Sequence, residues 1–251
     1  MERALLTCRV PDSLPPGIDR LYFGAEFCSW RMPSRDQVLR AVAFCRRQSI
    51  AMTLVTPVLY QSWLPAVRSL LKGLVDVFDA GDELLISDLG MIALAGEFLP
   101  RLPRVCGRAL SGQKRGPRIL DFDLSPAERD YFQRGSWYSS EAVAFLREAG
   151  IGRVELDNLL QGIAPLPRSL RGSLHRPYVL VTSSRNCPFR SPRHDRPCRP
   201  ACGEVFTLEN SQSEIPLLQG GNSQFLRNDR LPDDLDRLGI DRIVEHLELP
   251  A

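Results

Sequence analysis

The sequence predicts an α/β fold: an irregular (β/α) barrel of the TIM-barrel type with a late cysteine-bearing loop. Short apolar runs of strand character alternate at least four times with stretches of helical period, the signature of parallel strands joined by helical crossovers. No Gly-x-Gly-x-x-Gly follows the first apolar run, which weighs against a doubly wound dinucleotide fold. The 251 residues are short for eight full units with loops this long, hence the expected irregularity.

The elements follow in order. A Pro/Gly-rich run, DSLPPGIDR, precedes the first expected strand, 21–27, an unbroken apolar run suited to burial on both faces. Ser34 and Gln37 form a capping box, and Val38, Leu39, Val42 and Cys45 make the apolar stripe of the helix behind it. A strand over 50–55 and a helix over 61–72, stopped by Gly73, come next. Residues 75–78 and 84–87 read as short strands, 90–98 as a helix and 104–109 as a strand. Ser125-Pro126-Ala127-Glu128 is a second capping box with proline at the first helical position. A helix over 140–149 ends at Gly150, and a strand over 153–156 follows directly.

The alternation breaks near residue 160. Residues 165–176 read as a Pro/Arg-rich loop, 178–184 as a strand, and 204–208 and 215–219 as two more. The amphipathic LDRLGIDRIVEHL predicts a final helix over 233–246. The whole chain, 1–251, is expected to be one barrel-like domain, with a metal-binding loop at 185–203.

Composition narrows the function classes. Lys+Arg number 32 against 30 Asp+Glu, a net charge of +2, so no strong field points to nucleic acid or an anionic membrane. No stretch approaches the about 20 apolar residues of a membrane helix, and the start, MERALLTCRV, has no secretory h-region. The expectation is a cytoplasmic protein without a membrane span. Three histidines, all late in the chain, make no HExxH, and no Ser/His/Asp arrangement is visible, so a familiar hydrolase has no support.

The seven cysteines carry the chemistry. Cys8, Cys45 and Cys106 read as packing residues. Cys187, Cys198 and Cys202 stand as C-x10-C-x3-C in a proline- and arginine-rich loop with little else to pack. Prolines lower the entropy cost of ordering such a loop, and arginines favour thiolates. Cys28, at the C-terminal end of the first expected strand, is the best fourth ligand, because barrel sites sit at that end. Four thiolates suit an iron–sulfur cluster or a structural zinc ion; His194 reads as a loop residue first and a zinc ligand second. Weaker candidates for contact with a substrate are Glu26, beside Cys28, and Arg115 and Arg118, suited to an anionic group. Glu155 and Asp157 alternate in VELDN, placing one toward the barrel mouth, while Asp79, Asp82 and Asp88 fall near strand ends and suit helix capping.

The phrases LYFGAEFCSWR and VDVFDAGDELLISDLGMI, with the C-x10-C-x3-C loop behind YVLVTSS, together resemble the collagenase-like peptidase superfamily, and within it the UbiV branch of oxygen-independent ubiquinone biosynthesis. The resemblance spans most of residues 20–228. It implies a barrel fold and a [4Fe-4S] cluster on Cys28, Cys187, Cys198 and Cys202. It also implies a heteromeric partner of the UbiU type and an aromatic or isoprenoid-aromatic substrate hydroxylated without oxygen. Relatives elsewhere in the superfamily are RNA-base hydroxylases or peptidases. A non-catalytic binding module stabilised by zinc or a cluster is the reading from a different function class, told apart by the colour and metal content of anaerobically purified protein.

Overall fold

The computed structural model describes residues 1–190, 198, 202–211 and 213–250. Eight parallel strands close a barrel in the order β1-β12-β7-β6-β5-β4-β3-β2. These are β1 (Glu2–Thr7), β2 (Arg20–Gly24), β3 (Ala51–Thr56), β4 (Glu83–Ile86), β5 (Arg104–Cys106), β6 (Ile151–Asp157), β7 (Arg171–Arg176) and β12 (Ile240–His246). Helices α1 (Arg35–Gln48), α2 (Leu64–Lys72) and α3 (Gly90–Phe98) fill the crossovers from β2 to β5, while α4 (Pro126–Gln133) and α5 (Ser140–Glu148) lie between β5 and β6. Both expected capping boxes form: Ser34 with Gln37 at α1, and Ser125 with Glu128 at α4. Among the described residues no helix joins β1 to β2 or β6 to β7. Between β7 and β12 the chain builds a separate antiparallel sheet, ordered β8-β11-β10-β9. Its strands are β8 (Tyr178–Ser183), β9 (Phe206–Asn210), β10 (Ser213–Gly220) and β11 (Ser223–Arg227).

The structure corrects several expected elements. Residues 75–78 are turns, not a strand. The loop expected over 165–176 contains β7, and the segment before residue 20 contains β1. The final helix shrinks to α6 (Leu235–Leu238), closed by Gly239 in the left-handed region at φ 78°. The rest of that segment is β12, which pairs with both β1 and β7. Ile243 and Leu247 therefore do not share a helical face with Leu235 and Leu238. Ile243 is buried between barrel and outer layer, whereas Leu247 is exposed. Leu235 and Leu238 pack on the same apolar cluster as Ile243, so this stripe offers no helical docking surface.

Strand alternation sorts the core into two zones. Outward-facing Leu5, Leu21, Phe23, Met52, Leu54, Leu84 and Ile86 pack against the helices α1 to α3. The barrel lumen holds a small apolar set, Ala4, Leu6, Tyr22, Val55, Leu85 and Val244, sandwiched between charged layers. At its N-terminal end, Arg242 grips Glu83 through both terminal nitrogens (2.7 and 3.1 Å) and Glu2 through Nε (2.6 Å). Arg20 donates to the other oxygen of Glu2 (2.7 Å). Arginine forks matched to carboxylates make this layer affordable, since an unpaired charge at that depth is strongly unfavourable. Among the described residues no helix is long and apolar enough to cross a membrane.

Candidate metal centre

Cys28 follows β2 at the C-terminal mouth of the barrel and caps a single 3-10 turn, Ser29–Arg31. Within the turn, Arg31 N donates to Cys28 O (3.0 Å). Ser29 Oγ donates to Val58 O (2.6 Å), tying the turn to the end of β3. Asn222, in the tight turn between β10 and β11, donates from Nδ2 to Phe27 O (2.8 Å) and to Ser184 O (2.9 Å). One buried amide thus ties the backbone before Cys28 to the backbone just before Cys187. The inserted sheet brings the late cysteines to the mouth in this way. At Gly203, φ is 65° and a Cβ would stand 2.6 Å from the Phe189 ring, so glycine is required beside Cys202.

Cys28, Cys187, Cys198 and Cys202 line one cavity, together with Trp30, Arg31, Tyr60, Arg185, Phe189 and Arg190. Burial pushes the Cys28 thiol up, and Cys202 and Cys198 add to the rise by repulsion between thiolates. Burial also raises Cys202, against the pull of Arg31, with Cys187, Cys198 and Cys8 contributing. Two guanidinium groups lie over aromatic rings at the rim: Arg185 over Tyr60 (5.2 Å) and Arg190 over Trp30 (5.5 Å). The enclosed space is narrow, about 20 Å³, near the volume one water needs. Among the described residues no three His, Cys, Asp or Glu side chains stand close enough to hold a metal ion. The four sulfurs share a cavity without converging on one point. His194, with Pro197, Pro200 and the loop arginines Arg193, Arg196 and Arg199, lies outside the described residues. Cys45 and Cys106 are buried, as expected of packing residues. Cys8 differs: it is only partly buried and accepts from Arg31 Nη2 at 2.9 Å.

Beneath the cysteines lies a second charged layer. Arg108 is fully buried, paired with Glu26 and, at 3.0 Å, with Asp157 Oδ1. Glu26 is thus held by Arg108. Arg115 donates from Nε to Asp157 Oδ2 (2.7 Å) and from Nη2 to Arg108 O (2.7 Å). Gln113 clamps the Asp157 backbone on both sides (2.8 and 3.0 Å). Burial alone would raise the Asp157 carboxyl, but Arg115 and Arg108 outweigh it and hold the group below the usual range. Arg118 is exposed and lies 3.8 Å from Asp121. Asp82 is buried, binding Arg46 and accepting from Met52 N and Asp79 N. Asp88 Oδ1 caps Gly90 N at the start of α3.

Glu155 points into the lumen, accepting from Tyr22 OH (3.0 Å) and lying 2.6 Å from His175 Nε2. His175 Nδ1 lies 2.8 Å from His246 Nε2. Arg242 donates to Tyr22 OH (2.6 Å), which completes a buried polar chain along the barrel axis. His175 and His246 are therefore lumen residues. Burial, with Arg108 and His175 nearby, pushes His246 well below the usual imidazole value. Its Nδ1 is buried without a partner among the described residues. Arg108 and Asn222 escape sequence reasoning; of the lumen chain Glu155 is expected, and the signal for His175, Arg242 and His246 is the alternation of polar residues in RGSLHR and IDRIVEH.

A second cavity of about 270 Å³ opens at the mouth beside the cysteines, lined by residues 5–12, 24–26 and 247–250 and by Arg31.

No family model matches the chain, and no curated protein is significantly similar to it. Among solved structures, a U32 peptidase is similar at 12% identity, with a TM-score of 0.48, over 99% of this chain and 93% of that one. A chain described as the copper homeostasis protein CutC of Streptococcus agalactiae is similar at 14% identity, with a TM-score of 0.45, over 69% of this chain and 87% of that one.

Proposed function

We propose that this chain is an iron–sulfur protein of the collagenase-like peptidase superfamily, on the UbiV branch. In this reading Cys28, Cys187, Cys198 and Cys202 hold a [4Fe-4S] cluster, and the chain serves oxygen-independent ring hydroxylation beside a partner of the UbiU type. The observation that supports it is the cavity itself: one cysteine from the end of β2 and three from the loop between β8 and β9 line the same narrow space. Four cysteines suit either group: zinc takes four thiolates, and a [4Fe-4S] cluster presents a separate iron to each cysteine. Only Cys198 and Cys202 have the close spacing usual for zinc, which favours the cluster.

The bound cluster supplies one-electron transfer; with all four irons held by cysteine it has no open site for substrate. The chain's own residues do the remaining work. The Ser29–Arg31 turn presents Cys28 at the barrel mouth, and Asn222 ties together the two halves of the ligand set. The Glu26–Arg108–Asp157–Arg115 layer makes a stiff floor beneath them.

Anaerobic purification, or reconstitution with iron and sulfide, tests the reading. The expected product is brown, with visible absorption and about four iron per chain. Alanine at any one of the four cysteines should abolish or sharply reduce the iron, while C45A and C106A keep it. A colourless protein containing zinc would instead support the binding-module reading.

A further inference from the structure

Inward-facing arginines of this barrel have carboxylate partners: Arg20 and Arg242 have Glu2 and Glu83, and Arg108 and Arg115 have Asp157. Arg31 does not. It is partly buried, its side chain makes one hydrogen bond, to Cys8 Sγ at 2.9 Å, and no carboxylate lies within ion-pair distance among the described residues. It nevertheless faces the cysteine cavity. It is also the one residue that lines both the cysteine cavity and the 270 Å³ cavity beside it. A half-buried guanidinium without a carboxylate needs negative charge from another source, and the nearest is the set of cysteine sulfurs.

Resting on the cluster reading above, we infer that Arg31 is the counter-charge of the cysteine centre and sets its affinity for an electron. Four thiolates leave a cluster net negative, and reduction adds one more negative charge. A fixed cation nearby favours the reduced state, and low dielectric strengthens the effect. The other two arginines of the cavity are differently placed, over the rings of Tyr60 and Trp30. Arg31 is instead anchored by the turn that presents Cys28, so its distance from the centre is fixed by backbone. Because Arg31 also faces the second cavity, a charge placed there would be felt at the centre through this one side chain.

The test is an anaerobic redox titration of the reconstituted full chain, followed by visible absorption, for wild type, R31Q and R31K, with iron content measured on each. R31Q should load iron and lose about tenfold in electron affinity, a downward shift of about 59 mV for a one-electron couple. R31K, which keeps the charge, should stay near wild type. Should R31Q fail to load while R31K loads, charge is needed for assembly, and the inference holds. An unchanged potential in fully loaded R31Q overturns it, as does failure of both variants, which would make Arg31 a packing residue. A wild-type chain that takes up no iron overturns the cluster reading itself, and this inference with it.

Discussion

Arg108 shows how much a single residue can organise. Its fully buried guanidinium joins the end of β2 to the end of β6 through Glu26 and Asp157. Removing one partner from such a layer strands a charge, so E26Q should cost about 3–5 kcal/mol; chemical denaturation measures it, and a loss below about 1 kcal/mol would refute the structural role. His246 gives a pH signature. Its folded-state value lies below the unfolded one of about 6.5, so the unfolded chain binds a proton that the folded chain refuses. This contribution to stability is complete above about pH 6.5. It is lost as the pH falls below that, by up to about 1.4 kcal/mol per pH unit. Unfolding at stepped pH should show that slope in wild type and a shallower one in H246Q, with Arg108 and His175 beside the site and Glu155 behind His175 in both. At this scale the four cysteines were legible because a C-x10-C-x3-C run has few other uses, whereas Arg108 sits among thirty arginines with nothing local to single it out.

Among elements, the helices up to residue 149 and the strands β8, β9 and β10 read well, whereas β1, β7, β11 and β12 did not. Capping boxes are local chemistry, so α1 and α4 start where Ser34 and Ser125 say. The segment 240–246 carries helix-compatible spacing, but Ile243 and Val244 are β-branched and its hydrogen bonds go to β1 and β7. Partners some 70 and 240 residues distant in sequence outweigh a local pattern. β1 and β7 were missed because a short strand in a closed barrel needs no turn signal of its own. The segment 185–203 is the element the metal should govern. Its proline- and arginine-rich sequence offers little to pack, so thiolate–metal bonds are expected to supply most of its local stability. Limited trypsin digestion of the apo chain should cut first between Arg185 and Arg199, and loading should suppress those cuts. Equal cleavage with and without metal would count against the role assigned to the loop.

For the molecule as a whole, the proposed cluster has no open iron site, which fits a chain that works with another. Exposed Leu120, Phe122, Tyr131, Val205 and Phe206 make apolar surface outside the barrel strands. Co-expression with a companion subunit of the UbiU type should give a complex on size-exclusion chromatography that retains its iron. Hydroxylation of substrate by this chain alone would refute the need for a partner.

The pairing of β1 with β12 bears on the order of events in folding. Glu2 and Arg242, salt-bridged at one end of the lumen, are 240 residues apart in sequence. Bringing such distant segments together costs about 5 kcal/mol in chain entropy before any contact repays it. Until β12 arrives, β1 and β7 are open edges, and Arg242 is missing from the charged layer that Glu2 and Glu83 complete. From the completion of β7 until β12 is made, the nascent chain therefore carries two sticky margins, and Arg20 alone faces Glu2 and Glu83. Ring closure by the last strand is the step that turns a curled sheet into a barrel.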